Sequence, residues 1–302
     1  MIEFTASDFQ SLCAAEPVRG EIATIEEKRR AAVRKSVRNL LIGLALGAAA
    51  VWTLLATGWE AMTIVVGFLF FIGAIVGAVM PLSAASEGLK HPVLEAIAAR
   101  AGMEYFPGDF TPPVFASAQR LLFGAVSSAS FTDLFNGKDE DGHGYAVYEA
   151  CLSRRSGKNS VTVFSGQVYA LQRRPKGSAI TAIVPDRKIF NFFKPASDME
   201  RVRIEGDEEF EKKFEVYSTA SLEARSLLFA SELRALLLEL RKIGRVHVFL
   251  SPDEVLVAVW GKDRFEPGSM LRSRPGEERA RMMFDDVCAS LEVLRRLRRL
   301  VG

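Results

Sequence analysis

The sequence predicts an α+β protein: a two-helix transmembrane hairpin followed by a cytoplasmic domain whose mostly antiparallel sheet packs against two long helices. Three observations predict it. Residues 39–82 are apolar almost throughout, and Glu60 is their one formally charged side chain. From Ala125 onward apolar residues recur with period two in short runs joined by polar turns, the pattern of paired strands. Two later stretches, 219–242 and 276–300, return to the helical period.

The hairpin rests on length. About 20 apolar residues cross a hydrocarbon core roughly 30 Å thick, and 39–82 supplies that twice, as spans of about 40–58 and 62–82. The run exceeds an ordinary globular helix of about 8–20 residues. It breaks once, at Gly58-Trp59-Glu60-Ala61, and Trp59 stands where an interfacial aromatic belongs. The competing reading is a buried helix, apolar all round. Gly43 and Gly47 in the first span, and Gly73 and Gly77 in the second, are each four apart and form the expected packing seam.

Orientation follows from the basic residues. Lys28, Arg29, Arg30, Arg34, Lys35 and Arg38 precede the first span, the turn has none, and Lys90 and Arg100 follow the second. The expectation is a multi-pass protein of the bacterial inner membrane with both termini cytoplasmic. The same basic flank could meet anionic headgroups, although the orientation rule already accounts for it.

The 302 residues suffice for a 1–38 helical lead, the 39–82 hairpin and an 83–302 domain of about 200 residues. A net charge of +2 gives no basic field suited to nucleic acid. Cys13, Cys151 and Cys288 are too scattered for a metal or redox pair and agree with a reducing compartment. His91, His143 and His247 are equally dispersed.

In chain order, Pro17 and Gly20 divide the lead, and 21–38 runs on strong helix formers into the first span. Residues 83–88 make a polar exit. A separate helix is expected over 91–100, with Pro92 in its first turn and Gly102 at its stop. A short strand at 103–106 and a helix at 114–122 follow. Strands are expected at 126–135, 145–152, 161–171 and 179–184, with polar turns at 136–144 and 154–159. Gly166 marks a bulge or a close backbone approach, and 186–199 is irregular. Residues 202–205 and 214–217 read as extended around an acidic run. Ser218 or Thr219 would cap one helix to about Lys242, with Leu222, Phe229, Leu233, Leu236, Leu237 and Leu240 inward. A hairpin at 245–250 and 255–260 precedes the last helix, which turns Phe284, Val287, Leu291 and Leu294 inward.

Several marks stand in a recognisable order: Val163-Phe164-Ser165-Gly166, Ala182-Ile183-Val184-Pro185-Asp186, the run EEFEKKFEVYS at 208–218, Glu223-Ala224-Arg225, and Phe265-Glu266-Pro267. With two spans ahead of them, they resemble the bacterial family called "domain of unknown function 3137" from Asn39 onward. The resemblance implies an integral membrane protein with a cytoplasmic domain and no assigned reaction. It carries over no catalytic residues. The chain departs from it just before the helix, where Thr219-Ala220-Ser221 replaces an acidic residue.

No catalytic, cofactor-binding or metal residue is assigned, and no cofactor is expected. Asp139 and Asp141 alternate before Gly142, but aligning a calcium loop on that glycine puts Gly137 first and Tyr148 last, neither of them a carboxylate. The turn therefore reads as an acidic hairpin turn. The acidic 207–211 run is followed by Lys212 and Lys213 and reads as a solvated surface. His247 reads as a partly exposed sheet residue, and His143 has no neighbouring nucleophile. Nucleophile-elbow and phosphate-loop motifs are absent from the sequence. Arg295, Arg296, Arg298 and Arg299 complement the last helix's dipole, with a membrane surface or an acidic partner as the other readings.

The leading functional expectation is a membrane-anchored, cytoplasm-facing binding or scaffold module. Its partner is the lipid bilayer, with another membrane protein as a second candidate. The alternative is a membrane-tethered hydrolase or transferase, which requires a pocket joining two or more of Asp133, His143, Asp186, Glu223 and His247.

Overall fold

The computed structural model describes residues 4–112, 115–173, 177–186 and 198–301. Thr5 and Asp8 form a reciprocal capping box at the start of α1 (Ala6–Ala14), where the Thr5 backbone N–H donates to Asp8 Oδ2 at 2.7 Å. Pro17 ends that element, and α2 (Val18–Ala56) runs unbroken through Gly20 into the first apolar stretch. A tight turn leads into α3 (Glu60–Arg100). Here the structure corrects the sequence reading. The polar exit at 83–88 and the separate helix at 91–100 are both part of α3, which carries Pro81 and Pro92 inside its 41 residues.

A proline within a helix leaves the carbonyl four residues earlier without its donor. For Pro81 that carbonyl belongs to Gly77, and Asn39 Nδ2 on α2 donates to it at 2.8 Å. One residue along, the Ser36 hydroxyl donates to the Ala78 carbonyl. The two helices are thus tied by polar bonds where the proline opens the backbone, the usual remedy for a broken ladder in an apolar setting.

Small residues set the seam above these ties. A Cβ added at Gly43 would lie 2.5 Å from Ala74 Cβ, and one at Gly47 2.9 Å from Phe70 Cβ. Gly67 approaches Val51 in the same way. Gly73, expected in the seam, faces open space, and Ala74 takes its place. One step of helical rotation separates the two, which a four-residue spacing does not fix.

The chain divides into two units. One comprises residues 4–97 and 265–286. Its core joins Phe9, Leu12, Ile25, Leu89, Val93, Phe265 and Met283. Phe4 and Phe9 pack against Phe284 with ring centroids 5.4 Å apart, and Arg281 lies over the Phe9 ring. Arg279 is fully buried, and its Nη atoms donate to the carbonyls of Pro267, Gly268, Ser269 and Arg272, which shapes the 267–272 loop. Burial lowers its pKa from the usual arginine value.

The other unit comprises residues 98–264 and 287–302. It holds β1 (Glu104–Phe106), α4 (Phe115–Phe123), β2 (Ser128–Lys138), β3 (Gly144–Ser156), β4 (Asn159–Gln172), β5 (Thr181–Pro185), β6 (Glu200–Val202), α5 (Glu208–Glu211), β7 (Phe214–Ser218), α6 (Ser221–Phe229), α7 (Ser231–Ile243), β8 (Val246–Leu250) and β9 (Glu254–Trp260). The last helix, α8 (Gly276–Val301), supplies this unit with its residues from Val287 onward. The nine strands form one sheet in the order β1-β2-β3-β4-β9-β8-β5-β7-β6, and every pairing is antiparallel. This is the α+β class the sequence predicts. The expected helix at 114–122 corresponds to α4, Val114 itself lying outside the described residues, as does most of the irregular 186–199 stretch.

The strands alternate between two buried faces. On one, Tyr148, Leu152, Phe164, Val168, Phe249 and Leu256 pack with Phe115, Leu122 and Phe123 of α4. On the other lie Val147, Tyr169, Ile183, Val216, Val248 and Val257, the register partners that alternate with the first set. Ser290 of α8 donates to Gln167 Oε1 on this second face at 3.3 Å.

At Gly166 the close backbone approach holds: a Cβ would lie 2.2 Å from the Val259 carbonyl oxygen, at φ +152. The register shift lies nearby, between Leu152 and Ser153 of β3.

The helix expected from 219 to 242 is two. It breaks at Ala230, whose φ −62 and ψ 112 are extended, so α6 and α7 present different faces. Leu233, Leu236, Leu237 and Leu240 of α7 are buried as expected, but Leu222 and Phe229 of α6 are 81% and 85% exposed. The expected cap also differs: the Thr219 hydroxyl accepts from the Ile180 N–H, while Ser218 bonds Ala220.

Candidate functional site

The five residues whose convergence would mark a catalytic pocket occupy separate places. Asp133 sits in the β2 bulge at φ 53, a left-handed conformation that aspartate tolerates. It accepts the Tyr105 hydroxyl at 2.6 Å. His143 is in the β2–β3 turn, and Asp186 follows β5, its N–H bonded to the Lys213 carbonyl. His247 of β8 is only 4% exposed, against the partly exposed position expected. Phe123 of α4 lies 4.8 Å from its ring and Phe164 lies 6.5 Å away.

The β2–β3 turn is organised by Asp139. Its carboxylate takes the His143 N–H at 2.8 Å and pairs with Arg298 of α8 at 2.7 Å. Burial pushes its pKa up, but the His143 amide, Arg298 and the Asp141 amide outweigh that, and the net position is below the ordinary carboxylate value. Asp139, Asp141 and His143 place three potential ligand atoms within 4.8 Å of one another. One Asp139 oxygen is already held by Arg298.

The C-terminal arginines are mostly committed internally. Arg295 pairs with Glu292, Arg296 with Glu239 and Arg298 with Asp139, while Arg299 is exposed without a partner among the described residues. The acidic run is likewise only partly solvated. Glu208 and Lys212 pair at the surface. Asp207 instead caps α5 through the Phe210 N–H and binds Arg234 at 2.7 Å.

A cavity of about 440 Å³ lies where α6 meets the second sheet face. It is lined by Thr181 of β5, Leu250 of β8, Ala224, Ser226 and Leu227 of α6, Leu300 of α8, and Arg173 just beyond β4. Its volume is in the range of small-molecule sites, about 300–1,000 Å³. Glu223 is the one residue of the five catalytic candidates that reaches it.

Two amides fix the Glu223 carboxylate. Oε2 accepts from the backbone N–H groups of Ser178 at 3.1 Å and Ala179 at 3.2 Å. Gly177 beside them has φ +70, and a Cβ there would lie 2.1 Å from Oε2. Glu223 therefore clamps the 177–179 segment as one wall of the cavity.

Arg173 is buried to 8% exposure. Its Nε donates to the carbonyls of Ser251 and Pro252, and its backbone N–H to that of Asp253, so the β8–β9 turn holds its stem. Nη1 and Nη2 make no hydrogen bond or ion pair among the described residues. Burial lowers the arginine's pKa, and the Asp253 charge offsets this only in part. Nothing local in the sequence marks this site: in Gln-Arg-Arg-Pro-Lys-Gly, Arg173 looks like one more solvated turn residue, and its companions come from four other segments.

No curated protein matches the chain. The crystal structure of the mycobacterial trehalose monomycolate transport factor A, TtfA, aligns over 67% of this chain and 93% of its own, at 13% identity and a TM-score of 0.34. A likeness that loose says nothing about ligand or partner. The hairpin lies outside the family match, which begins in β4: residues 162–299 match the family described as "Protein of unknown function (DUF3137)", the one that the sequence marks resemble.

Proposed function

We propose that the protein is a membrane-anchored binding or scaffold module. In this reading α2 and α3 cross the bilayer of a bacterial inner membrane as a hairpin, both termini are cytoplasmic, and the sheet unit offers the binding surface. One observation carries it. The two helices are long and apolar enough to cross a membrane, and their most apolar windows are only 6% buried. A core helix of a water-soluble protein would be mostly covered.

Magnitudes favour lipid over water as the surrounding medium. Twenty large apolar side chains between Val37 and Met80 are exposed, including Trp52 at 76% and Ile64 at 78%. Leaving each in water forgoes up to about 1.5–3 kcal/mol. The total is tens of kcal/mol, against a net folding stability of about 5–15 kcal/mol. Arg34, Lys35 and Arg38, just below the apolar stretch, are exposed and have no ion-pair partner among the described residues. That suits anionic headgroups on the cytoplasmic side.

Fractionation tests the reading. The full chain should stay with membranes through alkaline carbonate washing and dissolve only in detergent. Recovery as a water-soluble monomer would overturn it.

A further inference from the structure

We infer that the cavity beside α6 binds a small amphiphile with one anionic group, a phosphate or a carboxylate, held by Arg173. The inference rests on the binding-module reading and gives it a ligand class.

The argument starts from what a buried guanidinium requires. Arginine stays charged, and a charge taken out of water needs compensating partners. Arg279 shows how this chain meets that need with protein atoms: its Nη groups reach four backbone carbonyls. The Arg173 guanidinium is anchored through Nε, and among the described residues its Nη pair, the part of the fork that matches a carboxylate or phosphate, has no protein acceptor. It lines a cavity large enough for a small molecule. Among the described residues the one carboxylate lining that cavity is that of Glu223, and it is taken up by the Ser178 and Ala179 amides.

The other walls define the rest of the ligand. Leu227, Leu250, Leu300 and Ala224 are apolar, and Thr181 and Ser226 supply hydroxyls. An inorganic anion would leave those leucines facing water, and an uncharged chain would leave the fork unmatched. A short apolar body bearing one anionic head satisfies both.

The test uses the full chain in neutral-lipid nanodiscs, titrated calorimetrically with octyl phosphate, octanol and inorganic phosphate. Octyl phosphate should bind at least tenfold more tightly than either of the others. Arg173→Gln should lose at least tenfold of that affinity. Because Arg173 also braces the β8–β9 turn, a second variant, Ser226→Glu, adds a negative charge to the cavity without touching the Nε bonds, and it should lose at least as much. Equal binding by wild type and Ser226→Glu, or no binding of octyl phosphate by the wild type, would overturn the inference while carbonate-resistant membrane retention left the anchored-module reading standing. Nanodiscs carrying phosphatidic acid distinguish the source: competition with octyl phosphate places the natural head group on a lipid, and absence of competition places the ligand in the aqueous phase.

Discussion

The hairpin and the sheet unit solve opposite problems with the same chemistry. In the sheet, Phe164, Val168, Phe249 and Leu256 turn inward, and ion pairs such as Arg296 with Glu239 lie outside. In the hairpin, Phe68, Leu69 and Ile64 turn outward, while the polar groups of Ser36 and Asn39 are used between the helices. The difference is the one expected if the proposed bilayer surrounds the hairpin. A hydrogen bond at the surface of a water-soluble protein is worth little because water offers the same bond, whereas in hydrocarbon a proline-freed carbonyl must be met from inside the protein.

Substitutions sharpen the contrast. The largest effect is expected from Gly166→Val, which forces a side chain into the Val259 carbonyl at the β4–β9 pairing. Circular dichroism and limited proteolysis should show the sheet unit unfolded, with a loss above about 4 kcal/mol, while the hairpin remains in the membrane fraction. Loss of both together would mean that the two regions do not fold under separate solvents. Gly43→Leu comes next. It drives bulk against Ala74 and should separate the helices at a cost of about 1–3 kcal/mol, readable as a longer spin-label distance across the hairpin. An unchanged distance would remove the seam.

Asn39→Leu should cost less, about 0.6–1.7 kcal/mol by reversible unfolding in detergent. If Pro81 is the reason for the bond, Pro81→Ala should restore much of that loss by returning a donor to the Gly77 carbonyl.

The smallest effect concerns pH. The folded pKa of Asp139 lies below its unfolded value, so its contribution is present above the unfolded pKa and lost as pH falls through the folded one. The stability gap between wild type and Asp139→Asn should be full at about pH 6 and shrink below about pH 4. Denaturant melts at the two pH values check this. A gap that grew on acidification would contradict the Arg298 pairing.

How far the sequence revealed these features depended on whether their cause was local. The two long apolar helices, the strand pairs and the stripe on α7 were legible because period and length are set by neighbouring residues. The Ala230 break was not: no glycine or proline marks it, and a helical stripe through Leu222 and Phe229 runs across it unaltered. His247 looked half-exposed because its cover, Phe123, lies 124 positions away in the chain. Pro92 looked like a helix start because a proline's tolerance in mid-helix depends on what surrounds it. The cavity was least legible. Arg173, Thr181, Ser226, Leu250 and Leu300 share no spacing, and only the sheet order brings them together.

The most direct measurement of the central claim is the sidedness of two cysteines. Cys151 is exposed on β3, and Thr57 is exposed at the turn between α2 and α3. In a chain carrying Thr57→Cys or Cys151 as its sole thiol, a membrane-impermeant maleimide should label the turn cysteine in intact cells and Cys151 only after the membrane is opened. Labelling of both from the same side, or of both in a detergent-free soluble fraction, would contradict a hairpin that crosses the bilayer.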